Sequence, residues 1–239
     1  MQCIGIDGCR GGWLFTVWKA EGDCQLYLYP FLKDGIVHLS DATAIAVDMP
    51  MGLVSHPDEE RTCDTLIRKE LGHPFSASVF NTPCRQAVYA ADYTKAKHVN
   101  KELCQKGLSV QSWNIVPKIR ELDQLLNHHP SLKKTMHESH PELCFKYLNG
   151  QPLSHKKKTC EGKDERMSLL KPHFPCVYDT FLKFRKLHLK KDLADDDILD
   201  SMILALNALQ IAVGNYKQFP SDTVLDKNEI RMGVRVLNV

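Results

Sequence analysis

Residues 3–13 constrain the fold of this chain most, because they place one carboxylate at the end of a short apolar strand and follow it with a glycine-rich turn. Residues 2–7 alternate in the pattern of a β-strand, and three glycines then interrupt that pattern. A carboxylate among apolar neighbours is costly to keep ionised unless it meets a cation, a helix end or water. The rest of the sequence has to show which of these three Asp7 meets.

A second acid, Asp48, ends the apolar run at 44–48 and precedes Pro50, as at the end of a buried strand. Glu138 ends a weaker strand pattern. Three strands in a row, a crossover to a buried strand and then alternating helices and short strands predict a mixed α/β sheet with helices on its faces. We expect a single domain, 1–239, with a helical insertion at 58–130 that could cover the site.

Three more acids, Asp196, Asp197 and Asp200, lie in the first turns of the most apolar helix that the sequence predicts, from Asp195 to about residue 213. Asp197 and Asp200 are i, i+3 neighbours, and Asp196 and Asp200 are i, i+4 neighbours, so either pair can face one point. Small side chains repeat along one side of this helix, at positions 201, 205, 208 and 212. Such a stripe lets a helix lie close to a sheet.

Acids gathered in one place point to a cation. Carboxylates repel one another, so either some of them are protonated or cations neutralise them. Mg²⁺ is held in proteins by a few carboxylates together with waters and phosphates, and two such ions about 4 Å apart stabilise both oxygens of a phosphodiester displacement. The acids thus indicate metal-dependent phosphoryl chemistry. Helix capping or turn formation is the ordinary alternative for each acid taken alone.

Several motifs together resemble the family called domain of unknown function 429, whose members are regarded as predicted ribonuclease-H-like nucleases. Glu138, which we count among the catalytic candidates, and Glu142 are motif positions of that family whose roles stay open. The motifs are Gly-Ile-Asp-Gly-Cys-Arg-Gly-Gly-Trp at 5–13, Ala-Val-Asp-Met-Pro-Met-Gly-Leu at 46–53, Ser-Val-Phe at 78–80, Pro-Lys-Ile-Arg-Glu at 117–121, Glu-Ser-His-Pro-Glu at 138–142, Lys-Lys-Thr with Glu-Gly at 157–162, and Asp-Asp-Ile-Leu-Asp at 196–200.

The resemblance implies a ribonuclease-H-like α/β fold, with a mixed five-stranded sheet and helices on both faces. It also implies a nuclease that uses Mg²⁺ or Mn²⁺. On this basis the catalytic and metal-binding acids are Asp7 on the first strand, Asp48 at the end of the fourth, and Asp197 with Asp200 on the last helix. Asp196 takes the place of Asp197 in the alternative register.

A basic region indicates where a polyanion would bind. Residues 146–191 carry twelve Lys and Arg against four Asp and Glu, which leaves the remainder of the chain acidic. The patch from Lys156 to Arg166 is the densest part, and contact with phosphates and a solvated loop are equally good interpretations of it. The substrate-binding candidates are Arg10, Arg61, Lys118, Arg120, Lys157 and Lys158.

Three functions remain open at this point. The first is the metal-dependent nuclease acting on nucleic acid, either DNA or RNA. The second is an ATP phosphotransferase of the actin-like fold, which also carries Asp-Gly and a glycine-rich turn on its first strand but requires a duplicated half. The third is a non-catalytic module that binds nucleic acid and keeps the acids for structure or for metal-dependent folding.

The cysteines and the hydropathy pattern bear on location. Nine scattered cysteines with no Cys-x-x-Cys spacing predict neither a disulfide framework nor a zinc site, which fits a reducing compartment. No apolar run approaches the roughly 18–20 residues of a membrane span, and Met1 leads directly into a strand pattern. We therefore expect a cytoplasmic protein with no membrane partner.

Overall fold

The computed structural model describes residues 1–19 and 24–238, which form an α/β fold around one mixed sheet of seven strands. The sheet contains every strand of the described residues in the order β3-β2-β1-β4-β5-β7-β6. The strands are β1 (Cys3–Cys9), β2 (Gly12–Trp18), β3 (Cys24–Tyr29), β4 (Ala44–Val47), β5 (Met136–Glu138), β6 (Tyr216–Phe219) and β7 (Val234–Leu237).

The sheet is mixed because its two halves are connected differently. Strands β1, β2 and β3 form an antiparallel meander, whereas β4 pairs parallel with β1 and β5 pairs parallel with β4. The sheet has two strands more than the expected five, because the end of the chain adds β7 and β6 beyond β5. Strand β6 is four residues long and has no fully buried residue, so it lacks the apolar pattern by which a strand is predicted.

Ten α-helices accompany the sheet within the described residues, with short 3₁₀ turns at Leu32–Gly35 and Phe75–Ser78. The helices are α1 (Ile36–Ser40), α2 (Cys63–Leu71), α3 (Arg85–Val88), α4 (Tyr93–Cys104), α5 (Val110–His128), α6 (Leu132–Thr135), α7 (Pro141–Asn149), α8 (Cys160–Leu170), α9 (Val177–Leu187) and α10 (Asp195–Ala212).

The chain divides into two compact units. The first comprises Met1–Asp48, Thr135–Lys217 and Arg235–Val239, and the second comprises Met49–Lys134 and Gln218–Val234. The residues that we expect to form a helical insertion, 58–130, fall within the second unit. There, the buried Arg85 donates hydrogen bonds to both carboxylate oxygens of Asp123 at 2.6 Å and to Asp226 at 2.5 Å, which ties the returning segment of the chain to the helices of this unit.

Helix α10 lies directly against β1 in the first unit. A Cβ atom placed on Gly5 would come within 2.1 Å of the Ser201 carbonyl oxygen and 2.2 Å of the Ala205 amide nitrogen. The stripe of small residues on α10 is thus the face that meets the sheet, as the spacing predicts. A hydrogen bond of 2.8 Å between the buried hydroxyls of Thr16 and Ser201 joins the same helix to β2. This packing fixes the position of the acids at the start of α10.

The glycine-rich turn after Asp7 is a tight β-hairpin. Cys9 pairs with Gly12, so only two residues connect β1 to β2, and the Gly11 amide donates to the Asp192 carbonyl at 2.7 Å. Gly12 has a φ of 132°, and a side chain there would collide with the Tyr29 carbonyl oxygen. The glycines therefore serve the turn, and they leave Arg10 exposed at its tip.

Candidate functional site

Three of the predicted acids lie at the carboxyl ends of adjacent strands. Asp7 belongs to β1, Asp48 directly follows β4, and Glu138 is the last residue of β5. The register pairs Ile6 with Val47 and Val47 with Glu138. Because β1, β4 and β5 run parallel, their carboxyl ends lie at one edge of the sheet. This topology places the three acids at the same edge.

The acids of α10 complete the group. Asp196, Asp197 and Asp200 lie in the first two turns of the helix, and the contact between Gly5 and Ser201 brings this end of α10 to the β1 strand that carries Asp7. Asp197 also caps the helix, because its Oδ2 accepts a hydrogen bond of 2.7 Å from the Ala194 amide. The capping interpretation is thus correct for Asp197, and it does not remove Asp197 from the group.

The charges of these carboxyls raise one another's pKa values. Burial raises the pKa of Asp7 well above its usual range, and the neighbouring charges of Asp48, Asp200 and Asp197 raise it further. Burial and then Asp200 raise the pKa of Asp48 to about 7. Burial, together with Asp196 and Asp200, raises the pKa of Asp197 to about 6, although the bond from Ala194 opposes this change. The side chains that the sequence predicts to converge therefore share one electrostatic environment.

A lysine enters this acid cluster, which we define as Asp7, Asp48, Asp196, Asp197 and Asp200. The Lys157 Nζ atom lies 2.7 Å from Asp200 Oδ2 and 3.4 Å from Asp196 Oδ2. The charge of Asp200 is the main cause that raises the pKa of Lys157 above its usual range. Burial raises the pKa of Asp200, and the Lys157 ammonium opposes that rise. Lys157 is therefore a resident cation of the cluster.

Glu142 and Arg166 form a buried pair beside the cluster. Two hydrogen bonds of 2.7 and 2.9 Å run from Arg166 Nη2 to the two carboxylate oxygens of Glu142. Burial raises the pKa of Glu142 although Arg166 opposes this, and Glu142 and Glu138 in turn raise the pKa of Asp48. Arg166 is 0% exposed, so neither phosphate contact nor a solvated loop, the two interpretations of the patch at 156–166, describes this residue. Its guanidinium instead neutralises Glu142.

A basic cleft of about 630 Å³ opens beside the start of α10 in the first unit. Its lining includes Arg10, Lys157 and Lys158 from among the predicted substrate contacts, together with three of the aspartates of α10. Lys163, Lys190 and Lys191 add further positive charge. The cationic side chains that line it are Arg10, Lys157, Lys158, Lys163, Lys190 and Lys191, and the acidic ones are Asp192, Asp195, Asp196 and Asp197.

The other predicted substrate contacts, Arg61, Lys118 and Arg120, belong to the second unit and are not among the residues that line this cleft. Arg61 is buried and donates to Asp64 at 2.9 Å and to the carbonyl of Met51. Both guanidinium contacts serve the fold of this unit.

Arg120 likewise closes the end of α3, because it donates to the Val88 carbonyl at 2.6 and 2.9 Å and to the Ala90 carbonyl at 3.2 Å. Lys118 lies half-buried on α5. Arg61 and Arg120 thus both make hydrogen bonds that support the fold of the second unit, and phosphate binding by either residue stays a prediction.

The acid cluster offers donor atoms of the type that hard divalent ions take. These atoms are carboxylate oxygens, which Mg²⁺ and Mn²⁺ prefer. Asp200 is 1% exposed, and its Oδ1 atom is buried with no hydrogen-bond partner in the part of the chain that the structure describes. A buried carboxylate oxygen without a partner is costly unless a cation or a proton meets it. Asp7, Asp48, Asp197 and Asp200 are the residues that would hold such an ion.

Two features of the site escape prediction from the sequence. The contact between Lys157 and Asp200 joins residues 43 positions apart, and no local pattern signals it. Lys190 and Lys191 belong to the basic region at 146–191, but only the folded chain places them beside Lys157 and Lys158. The excess of basic residues in that region was the available signal, because it indicated a polyanion site without naming these two lysines.

The fold and site define an α/β protein with a partly buried carboxylate cluster at the edge of its sheet and a basic cleft beside it. The family model described as "Protein of unknown function (DUF429)" matches residues 5–224, so the chain belongs to that family. Searches of curated proteins and of solved structures returned no match. Across residues 1–19 and 24–238, none of the helices has the length and apolar character needed to cross a membrane.

Proposed function

We propose that this chain is a nuclease that hydrolyses phosphodiester bonds with Mg²⁺ or Mn²⁺ held by Asp7, Asp48, Asp197 and Asp200. The observation that carries the proposal is that two members of the acid cluster, Asp196 and Asp197, also line the basic cleft. A phosphate bound by the lysines of the cleft would lie next to the carboxylates. Phosphoryl chemistry needs both groups in one place.

The proposal includes a ribonuclease-H-like fold for the part of the sheet that carries the acids. Strands β3-β2-β1-β4-β5 form a mixed five-stranded portion, and its first strand holds Asp7. Helix α10 supplies the acidic pair and packs on β1. These features support the fold that the family resemblance implies, with β7 and β6 as additions beyond β5.

In this proposal, the residues of the site have separate roles in binding the metal ions and in binding the substrate. Two divalent ions in such a site stabilise the attacking and the leaving oxygen of the phosphate. Asp7, Asp48, Asp197 and Asp200 would hold and orient them, and the burial of Asp7 and Asp200 would keep bulk water away from these two carboxylates. Arg10 and Lys158 at the cleft would bind the phosphates on either side of the scissile bond. Arg166 keeps Glu142 paired, so that it does not add an unmatched charge next to Asp48.

The test is a cleavage assay on single-stranded, duplex and branched DNA and RNA with Mn²⁺ or Mg²⁺ and with EDTA. Asp7→Asn should lower the rate by about 100-fold or more, because it removes one charged ligand of the reacting centre. Asp192→Asn is the matched control, since Asp192 lines the same cleft but lies outside the acid cluster. Its rate should stay within about threefold of the wild-type rate. Equal cleavage by the wild type and by Asp7→Asn refutes the assignment.

The same assay separates the alternatives. Nucleic acid that binds equally well in EDTA and is never cleaved indicates a non-catalytic binding module. The ATP phosphotransferase gains no support from the glycine-rich turn, because the turn is a two-residue hairpin whose glycines meet the backbone of Asp192 and Tyr29. We also propose a reducing, cytoplasmic location, which suits the nine free thiols of the chain.

A further inference from the structure

The two carboxylate oxygens of Asp200 have different surroundings. Oδ2 accepts a hydrogen bond of 2.7 Å from the Lys157 ammonium. Oδ1 is buried and has no hydrogen-bond partner among the described residues. Since Asp200 is 1% exposed, neither oxygen can rely on bulk water. One oxygen is thus already matched by a positive charge, and the other remains open to a cation.

We propose that, in the substrate-free protein, the Lys157 ammonium takes the place of one of the two divalent ions, so that the acid cluster binds a single ion until Lys157 leaves Asp200. The inference rests on the proposed metal-dependent function and names the residue that controls how many ions the cluster holds. A second ion at Asp200 Oδ2 would need the position that the ammonium occupies. Two positive charges at such a short separation repel each other strongly in a buried site.

The backbone that carries Lys157 is fixed. Glu165 accepts hydrogen bonds from the amides of Ser154 at 2.8 Å and His155 at 3.0 Å. Gly162 of α8 packs against Lys156, the residue before Lys157, so closely that a Cβ on Gly162 would lie 2.0 Å from the Lys156 carbonyl oxygen. The Thr159 amide donates to that same carbonyl at 3.0 Å. This loop therefore presents Lys157 to Asp200 from an anchored position.

The side chain of Lys157, by contrast, can change partners. It is 36% exposed and lines the basic cleft as well as contacting the acid cluster. Lysine is a compact charge on a flexible four-carbon stem, so its ammonium can turn from a carboxylate to a phosphate without a movement of the backbone. A phosphate bound in the cleft would offer Lys157 such a partner. Lys157 can thus leave Asp200 when substrate arrives.

The experiment is a titration of the full chain with Mn²⁺ in the absence of nucleic acid, followed by calorimetry and by the electron paramagnetic resonance signal of free Mn²⁺. The wild type should bind one ion. Lys157→Met should bind two, because it empties the position at Asp200 Oδ2. Lys158→Met is the matched control, since it removes an equal charge from the same loop and cleft but lies outside the acid cluster. It should bind one ion.

Lys157→Arg provides a second control because it retains the cation, and it should also bind one ion. Circular dichroism verifies the fold of each variant, and Lys157→Gln replaces the methionine variant if the latter does not fold. Two ions in the wild type, or one in both the wild type and Lys157→Met, overturn the inference and leave the proposed function standing. No Mn²⁺ bound by any of these proteins instead overturns the proposed metal site itself.

Discussion

The contact between Gly5 and helix α10 makes the substitution Gly5→Ala a direct test of how the fold positions the site. The added Cβ would lie 2.1 Å from the Ser201 carbonyl oxygen and 2.2 Å from the Ala205 amide nitrogen, whereas ordinary contact begins at 3.4 Å. Both atoms belong to the helix backbone. No rotation of a side chain can relieve the overlap, so α10 has to move away from β1 by about 1 Å.

The expected cost follows from these distances. Overpacking of a tight core costs about 1–3 kcal/mol, and we expect the upper end because the colliding atoms are backbone. Alanine regains about 0.5–1 kcal/mol, since glycine loses more conformational freedom on folding. Gly5→Ala should therefore lower the free energy of unfolding by about 2 kcal/mol. In a domain of this size that corresponds to a fall in melting temperature of about 4–8 °C.

The displacement should also reach the acid cluster, because Asp196, Asp197 and Asp200 lie at the start of the helix that moves. Urea unfolding followed by circular dichroism measures the stability, and Mn²⁺ calorimetry measures the affinity, which should fall about 10-fold or more. Gly107→Ala is the control, since a Cβ there meets nothing within 4 Å. If Gly5→Ala matches the wild type in both measurements, the close packing of α10 on β1 does not position the acids.

Two further predictions concern charge. In EDTA, the gain in unfolding free energy from Asp48→Asn should grow as the pH rises from about 4 to about 7 and then level off, because the pKa of Asp48 is raised to about 7 and its ionisation costs the folded state stability. Urea unfolding at several pH values measures this gain, and a gain that shrinks with rising pH contradicts it. Arg166→Met should lower the free energy of unfolding by about 3–5 kcal/mol, because Glu142 is left buried and unpaired. Lys190→Met, which removes an exposed partner of Asp195, should cost less than about 1 kcal/mol in the same assay, and equal losses in the two variants would contradict the difference in burial.

The acids could be predicted because local patterns define them. Asp7 and Asp48 each end an apolar run, and the carboxyl ends of parallel strands meet at one edge of a sheet. Asp197 and Asp200 follow the helical repeat of α10, and the small residues of the same helix indicate that it lies close to the sheet. In each case the side chain is placed by the geometry of the regular element that carries it.

The basic residues could not be placed in the same way. Arg166 has the same charge as its neighbours in the patch at 156–166, yet it is fully buried against Glu142, whereas Lys158 is exposed in the cleft. Both residues are positively charged, and composition does not distinguish a residue in a buried ion pair from a residue that is solvated. The pairing of Lys157 with Asp200 depends on the path of a loop, and no periodic pattern in the sequence indicates that path. Strand β6 escaped prediction for a related reason, since it lacks buried residues.

This division between predictable acids and unpredictable cations has a physical basis that bears on function. The acids lie on β1, directly after β4 and on α10, whose backbone bonds and close packing hold them in fixed positions. Lys157, Lys158, Lys190 and Lys191 lie on the segments between helices and carry long side chains that can adapt. A centre that holds metal ions needs fixed ligands, whereas a surface that binds a polyanion tolerates mobile ones. Lys157 belongs to both groups of residues, and its choice between Asp200 and a phosphate would therefore link the arrival of substrate to the loading of the metal centre.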